Sequence, residues 1–294
     1  MSLKKTLRGT GVALVTPFKQ NKEVDVEAFT RVVNHVIQNG VDYVVVLGTT
    51  GETPTLSRAE KELLINQAYE IADGKVPVVV GVGGNDTLAV ARELQALPLQ
   101  HATAVLSASP YYNKPSQEGI FQHYQTLAAA SPRPIILYNV PGRTGRNMSP
   151  ETTIRLANEV TNIAGIKEAA SDIAQVMKIL KDCPDDFLVV SGDDDLVLPE
   201  IAVGMDGVIS VAANCFPQKF SNMVRHALSG NFSEAKLLND QMIEAYNLLF
   251  AENNPAGVKA FLHEMGIIGP DLRLPLVPVS DTLLQKIRNY LSIS

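Results

Sequence analysis

The chain is predicted to fold as a single (β/α)8 TIM barrel followed by a helical extension, and three observations carry that prediction. Short, β-branched apolar runs recur eight times in succession. They are continuously apolar, as strands buried on both faces of a parallel sheet are. Helical stretches separate them, and the unusual polar clusters gather at their C-terminal ends, where barrel enzymes carry their chemistry.

The eight runs are Val12–Val15, Tyr43–Leu47, Pro77–Val82, Ala102–Leu106, Pro134–Tyr138, Ile163–Ile166, Phe187–Val190 and Gly207–Val211. Between the first two, Val26–Ile37 repeats apolar residues at helical spacing and stops before Gly40. Ser57 with Glu60 three residues later forms a capping box, while Ser116-Gln117-Glu118 and Ser149-Pro150-Glu151 open two more helices. Eight strand–helix units favour a closed barrel over an open doubly wound sheet, which commonly has about five or six strands. Beyond residue 228 the strand pattern stops. Phe232–Phe250, Pro255–Met265 and Asp281–Leu291 read as helices, so a catalytic barrel over 1–228 and a helical extension over 229–294 are expected.

Composition narrows the function classes. The 294 residues are 46% hydrophobic and 19% charged, with a net charge of −6 and both signs interspersed. A soluble globular protein is expected, without the basic footprint that nucleic acid or an anionic membrane requires. Cys183 and Cys215 have no metal or redox spacing, which suits a reducing cytoplasm. Lys4, Lys5 and Arg8 precede an apolar run that Pro17 ends too early for a signal peptide. The five histidines show no zinc-ligand spacing. Gly81-Val82-Gly83-Gly84 leads to Asp86 where a dinucleotide fingerprint needs its third glycine. No metal and no resident cofactor are expected.

Lys167 is the sharpest candidate. It ends the apolar run Ile163–Ile166 and should point into a poorly hydrated barrel mouth, where desolvation favours a free amine able to attack a carbonyl. A strand-end lysine reaching out to solvent is the competing reading, and the local pattern does not separate the two. Tyr138 ends the preceding run and could shuttle protons or simply fill the top layer of the barrel. Thr49 and Thr50, between two glycines, offer hydroxyl and amide donors suited to a carboxylate, or an ordinary turn opening a helix. Arg143, in a Pro-Gly-Arg-Thr-Gly loop, could clamp a carboxylate or be solvated. Asp193, Asp194 and Asp195 read as acidic residues favoured in the first turn of a helix rather than as metal ligands.

These residues lie in motifs: Gly48-Thr49-Thr50-Gly51-Glu52, Ser109-Pro110-Tyr111-Tyr112-Asn113, the run Tyr138–Gly145, Gly165-Ile166-Lys167-Glu168 and Ser191-Gly192-Asp193-Asp194. In their order and on their strand ends they resemble the class I pyruvate-dependent aldolase family of dihydrodipicolinate synthases and N-acetylneuraminate lyases, from Gly11 to the C-terminal helices. The synthase branch is the nearer one. The resemblance implies that pyruvate forms a Schiff base on Lys167, becomes an enamine and attacks L-aspartate-4-semialdehyde. The adduct then cyclises to 4-hydroxy-tetrahydrodipicolinate, on the route to lysine and diaminopimelate. It further implies a proton relay of Tyr138, Thr49 and Tyr112, the last supplied by a neighbouring subunit across a tight dimer interface, and a homotetramer built from such dimers. Thr50 would hold the pyruvate carboxylate, Arg143 the semialdehyde, and Gly192 and Ile209 would give backbone contacts. N-acetylneuraminate lyase and 2-keto-3-deoxy sugar acid aldolases, which use the same lysine, remain the nearest alternatives, and a non-catalytic keto-acid-binding barrel a more distant one. Arg143 and Tyr111-Tyr112 favour the synthase. Lysine-inhibited relatives use a His and a Glu where this chain has Lys61 and Ala89, which implies weak or no inhibition by L-lysine.

Overall fold

The computed structural model describes residues 2–293; Met1 and Ser294, the outer bounds of the expected barrel and extension, lie outside them. Eight parallel strands close a barrel in sequence order. They are β1 (Gly9–Ala13), β2 (Tyr43–Val46), β3 (Val78–Gly81), β4 (Ala104–Ala108), β5 (Ile135–Asn139), β6 (Ile163–Glu168), β7 (Leu188–Ser191) and β8 (Gly207–Ser210). β1 starts at Gly9, earlier than the apolar run. Its first residues pair with β8 through Gly9↔Gly207 and Thr10↔Val208, a backbone role that side-chain polarity does not announce.

Side chains alternate between two apolar layers, which is why the runs show no polar alternation. Ala13, Tyr43, Val45, Val79, Leu106, Ile136, Leu188, Val190 and Ile209 fill the interior together with Leu7 from below. Val12, Val44, Val46, Val80, Val105, Leu137, Ile166 and Val208 pack outward under the helices. Interior filling depends on Gly11. A Cβ there would stand 2.2 Å from the Tyr43 ring, which lies across the barrel floor and donates from its hydroxyl to the Val208 carbonyl at 3.2 Å.

The expected helix starts hold at their caps. Asp25 accepts from the Ala28 amide ahead of the helix Val26–Gln38. Ser57 and Glu60 form the reciprocal capping box of Arg58–Ala72. Ser116 and Ser149 cap Gln117–Ala130 and Pro150–Glu159, the latter with Pro150 at its first turn. After β8 the chain is helical through Pro217–Leu228, Phe232–Asp240, Ile243–Phe250, Ala256–Glu264 and Asp281–Ile293. The single helix expected over Phe232–Phe250 is thus two. The break falls at Gln241-Met242, where Met242 is fully buried and its amide closes a turn on Asn239. Among the described residues no helix is long and apolar enough to cross a membrane.

Candidate active site

The C-terminal ends of the strands open into a cavity of about 610 Å³, lined among others by Thr49, Thr50, Tyr138, Arg143, Lys167 and Gly192. Strand alternation sends Lys167 inward and its neighbour Glu168 outward. Lys167 is 4% exposed and sits beside Tyr138 across the β5–β6 pairing. Its Nζ is 4.5 Å from the Tyr138 ring centroid. The lysine is therefore enclosed at the barrel mouth, which removes the solvated alternative. Gly192 allows this close packing: a Cβ there would lie 3.0 Å from Lys167 Cε and 2.6 Å from Ala169 Cβ.

Glu168 faces a buried polar network behind the lysine. It accepts from Asn139 Nδ2 at 2.8 Å, Gln175 Nε2 at 2.9 Å and the Ala170 amide at 2.9 Å. Burial outweighs these donors and pushes its carboxyl up to about 7.

Thr49 and Thr50 stand on a short 3-10 turn, Thr49–Gly51, bracketed by two non-glycine residues in left-handed conformation, Leu47 (φ 61°) and Glu52 (φ 53°). Such conformations persist where surrounding bonds over-determine them. Thr53 Oγ1 donates to the Leu47 and Gly48 carbonyls at 2.8 and 3.0 Å. Thr16 Oγ1 donates to Gly51 O at 2.8 Å, and Asn254 Nδ2 to Thr50 Oγ1 at 3.0 Å.

Arg143 lies in the one-turn helix Pro141–Thr144 after β5 and reaches across the mouth to the extension. Its Nη2 donates to the Asn254 carbonyl at 3.2 Å and to Asn253 Oδ1 at 3.4 Å. Phe250, Asn253 and Asn254 line the cavity from that side. They lack a sequence signal of their own, because they follow a helix rather than a strand.

The acidic run after β7 does not cap a helix. The next helix starts only at Val197, with Leu196 at its N-cap. Asp194 instead accepts from the Val211 and Ala212 amides at the β8 exit, at 3.1 and 2.7 Å, and burial raises its carboxyl to about 6. Asp193 lines the cavity and accepts from Ser171 Oγ at 2.9 Å. Burial raises it too, while Asp195 adds to and Lys167 opposes that rise.

Two of the expected residues stand apart. Ile209 is fully buried within β8, and it is Val211 that reaches the cavity wall. Tyr112 is 87% exposed, with φ 71°, and does not line the cavity in the single chain. Among the described residues no group of three or more His, Cys, Asp or Glu side chains could hold a metal ion.

An enclosed amine at a strand end, a phenol beside it and a hydroxyl-rich turn share one cavity at the mouth of a barrel, and the chain is a barrel enzyme of the aldolase-type lyase class. The chain belongs to the Dihydrodipicolinate synthetase family, whose description matches residues 6–294. It is 50% identical over 279 residues to a 4-hydroxy-tetrahydrodipicolinate synthase of Flavobacterium psychrophilum, covering 95% of each chain. The dihydrodipicolinate synthase structure from Thermotoga maritima superposes with a TM-score of 0.95 at 42% identity, covering 98% of each chain. The enzyme of Cyanidioschyzon merolae, solved with lysine bound, superposes at 0.93 with 35% identity, again over 98% of each.

Proposed function

We propose that the chain is a 4-hydroxy-tetrahydrodipicolinate synthase working through a Schiff base on Lys167. The observation that carries this reading is the enclosure of Lys167, 4% exposed, at the floor of a cavity shared with Tyr138, Thr49, Thr50 and Arg143. Its relatives bear the synthase name over nearly the whole chain.

In this reading the Lys167 amine attacks the C2 carbonyl of pyruvate. Loss of water from the carbinolamine gives the imine, and removal of a methyl proton gives the enamine. The enamine carbon attacks the aldehyde of L-aspartate-4-semialdehyde, and the amino group of that substrate displaces Lys167 as the ring closes. Tyr138 and Thr49 carry the protons. The phenol lines the same cavity as the amine, where it would serve the carbinolamine hydroxyl. Thr50 holds the pyruvate carboxylate. Arg143, at the mouth, receives the semialdehyde carboxylate through its planar fork.

Tyr112 completes the relay only from a neighbouring subunit. Its exposure and left-handed backbone support a role outside its own chain. The assembly in this reading is a homotetramer of tight dimers, acting in the cytoplasm. The barrel, through residue 228, carries the chemistry, and the extension from 229 walls the mouth with Phe250, Asn253 and Asn254.

Mass spectrometry after borohydride reduction tests the reading. Incubation with pyruvate should leave one pyruvyl adduct on Lys167, and turnover should require aspartate semialdehyde and resist EDTA. No adduct on Lys167 would overturn the mechanism. Cleavage of N-acetylneuraminate with the same adduct would make the chain a lyase of sugar acids instead.

A further inference from the structure

Glu52 ends the turn that carries Thr49 and Thr50, yet its side chain turns away from the cavity. The carboxylate is fully buried. Its Oε1 accepts from Lys259 Nζ at 2.5 Å, and its Oε2 from the Arg273 amide at 3.0 Å. Lys259 stands on the helix Ala256–Glu264 of the extension, 207 residues away, and is itself 0% exposed. Its ammonium also donates to the Asp271 carbonyl at 2.9 Å and lies 4.3 Å from the centroid of the Phe18 ring. Neither Glu52 nor Lys259 lines the cavity.

A buried ion pair is an expensive way to attach a helix to a barrel. Apolar side chains of the same volume would avoid the desolvation of two charges. What an ion pair adds is direction and register, because each charge requires its partner and its hydrogen bonds in one arrangement. Here that arrangement acts on a residue held at φ 53°, a conformation that a non-glycine residue rarely adopts unaided.

We propose that Glu52 and Lys259 are positioning residues, through which the extension fixes the Gly48–Glu52 turn so that Thr49 and Thr50 face Lys167. This rests on the reading of Thr49 and Thr50 given above. The Asn254–Thr50 bond is a second tether from the same extension to the same turn. The extension thereby sets the catalytic geometry from behind, through a pair that never meets substrate.

The test compares Glu52→Asp with the double variant Glu52→Gln/Lys259→Met. The first keeps the charge and withdraws the carboxylate by one methylene. The second removes both charges at nearly constant volume. A merely structural pair predicts kcat that follows Tm. The positioning role predicts that the double variant keeps its Tm while kcat and the rate of pyruvyl-adduct trapping fall by about 10- to 100-fold, with KM for the semialdehyde nearly unchanged. Glu52→Asp should show the same split more mildly, and it decides the matter alone if the double variant does not fold. Wild-type kcat in either folded variant overturns the proposal. Absence of a pyruvyl adduct in the unaltered enzyme would instead refute the Lys167 reading.

Discussion

Adding a single methyl at Gly192 should disable the candidate lysine while leaving the barrel folded. The Gly192 φ lies outside the left-handed region, so alanine is compatible with the backbone there. Space is the obstacle. The new Cβ would stand 2.6 Å from Ala169 Cβ, 3.0 Å from Lys167 Cε and 3.1 Å from the Glu168 carbonyl. Ala169 is held by the hydrogen bond its amide donates to the Asn139 carbonyl at 2.9 Å, and Gly192 by the one its amide donates to the Glu168 carbonyl at 2.6 Å. The 2.6 Å contact joins two backbone-anchored Cβ atoms, so the β6 and β7 exits must part and the Lys167 stem moves with its strand. Overpacking of this kind costs about 1–3 kcal/mol of stability. A reactive atom displaced by about 1 Å loses about 100-fold in rate, or about 2.7 kcal/mol of barrier. The assay follows borohydride trapping of the pyruvyl adduct over time, beside thermal unfolding. Gly192→Ala should trap pyruvate roughly 100-fold more slowly with a modest fall in Tm. Trapping at the wild-type rate would refute the argument that Gly192 exists to admit the Lys167 stem.

Arg143→Ala should raise KM for aspartate semialdehyde by roughly 10- to 100-fold, the loss of a charge-assisted pair, while pyruvate trapping on Lys167 stays near wild type. An unchanged KM would remove Arg143 from the substrate site. L-lysine at sub-millimolar concentration should leave initial rates unaltered. The Lys61 ammonium is already paired with Glu93 at 2.6 Å, and Ala89 offers no carboxylate; strong inhibition would overturn this. Glu200, 1% exposed, is pushed up to about 7, chiefly by burial. Because an unfolded glutamate titrates near 4.5, the native state binds the extra proton between those values, and stability is lost as pH rises through them. Glu200→Gln should therefore be more stable than wild type at pH 8, by up to about 3 kcal/mol, and no more stable at pH 4. Thermal unfolding across that range checks it, and equal Tm differences at both ends would contradict it.

Much of this molecule is legible in its sequence, for local reasons. Strands buried on two faces advertise themselves as unbroken apolar runs, and serine and proline mark helix starts within a few residues. Lys167 stood out because an ammonium at the end of such a run has few places to go. Local pattern could not say whether it was enclosed; the cavity built by seven other chain segments decided that. Nor could it assign Asp194, whose amide partners Val211 and Ala212 lie across the β7–β8 boundary rather than in the following helix. Lys259 looked like any helical lysine. Its burial against Glu52 spans 207 residues of sequence, and no periodicity encodes a contact of that range. Sequence by itself determined the strands, the helix caps and which residues stand at the barrel mouth, because propensity, polarity and capping act over a few residues. Only the tertiary structure decided which of them share one enclosed space and what holds them there, because burial and ion pairing belong to neighbours that chain order leaves far apart.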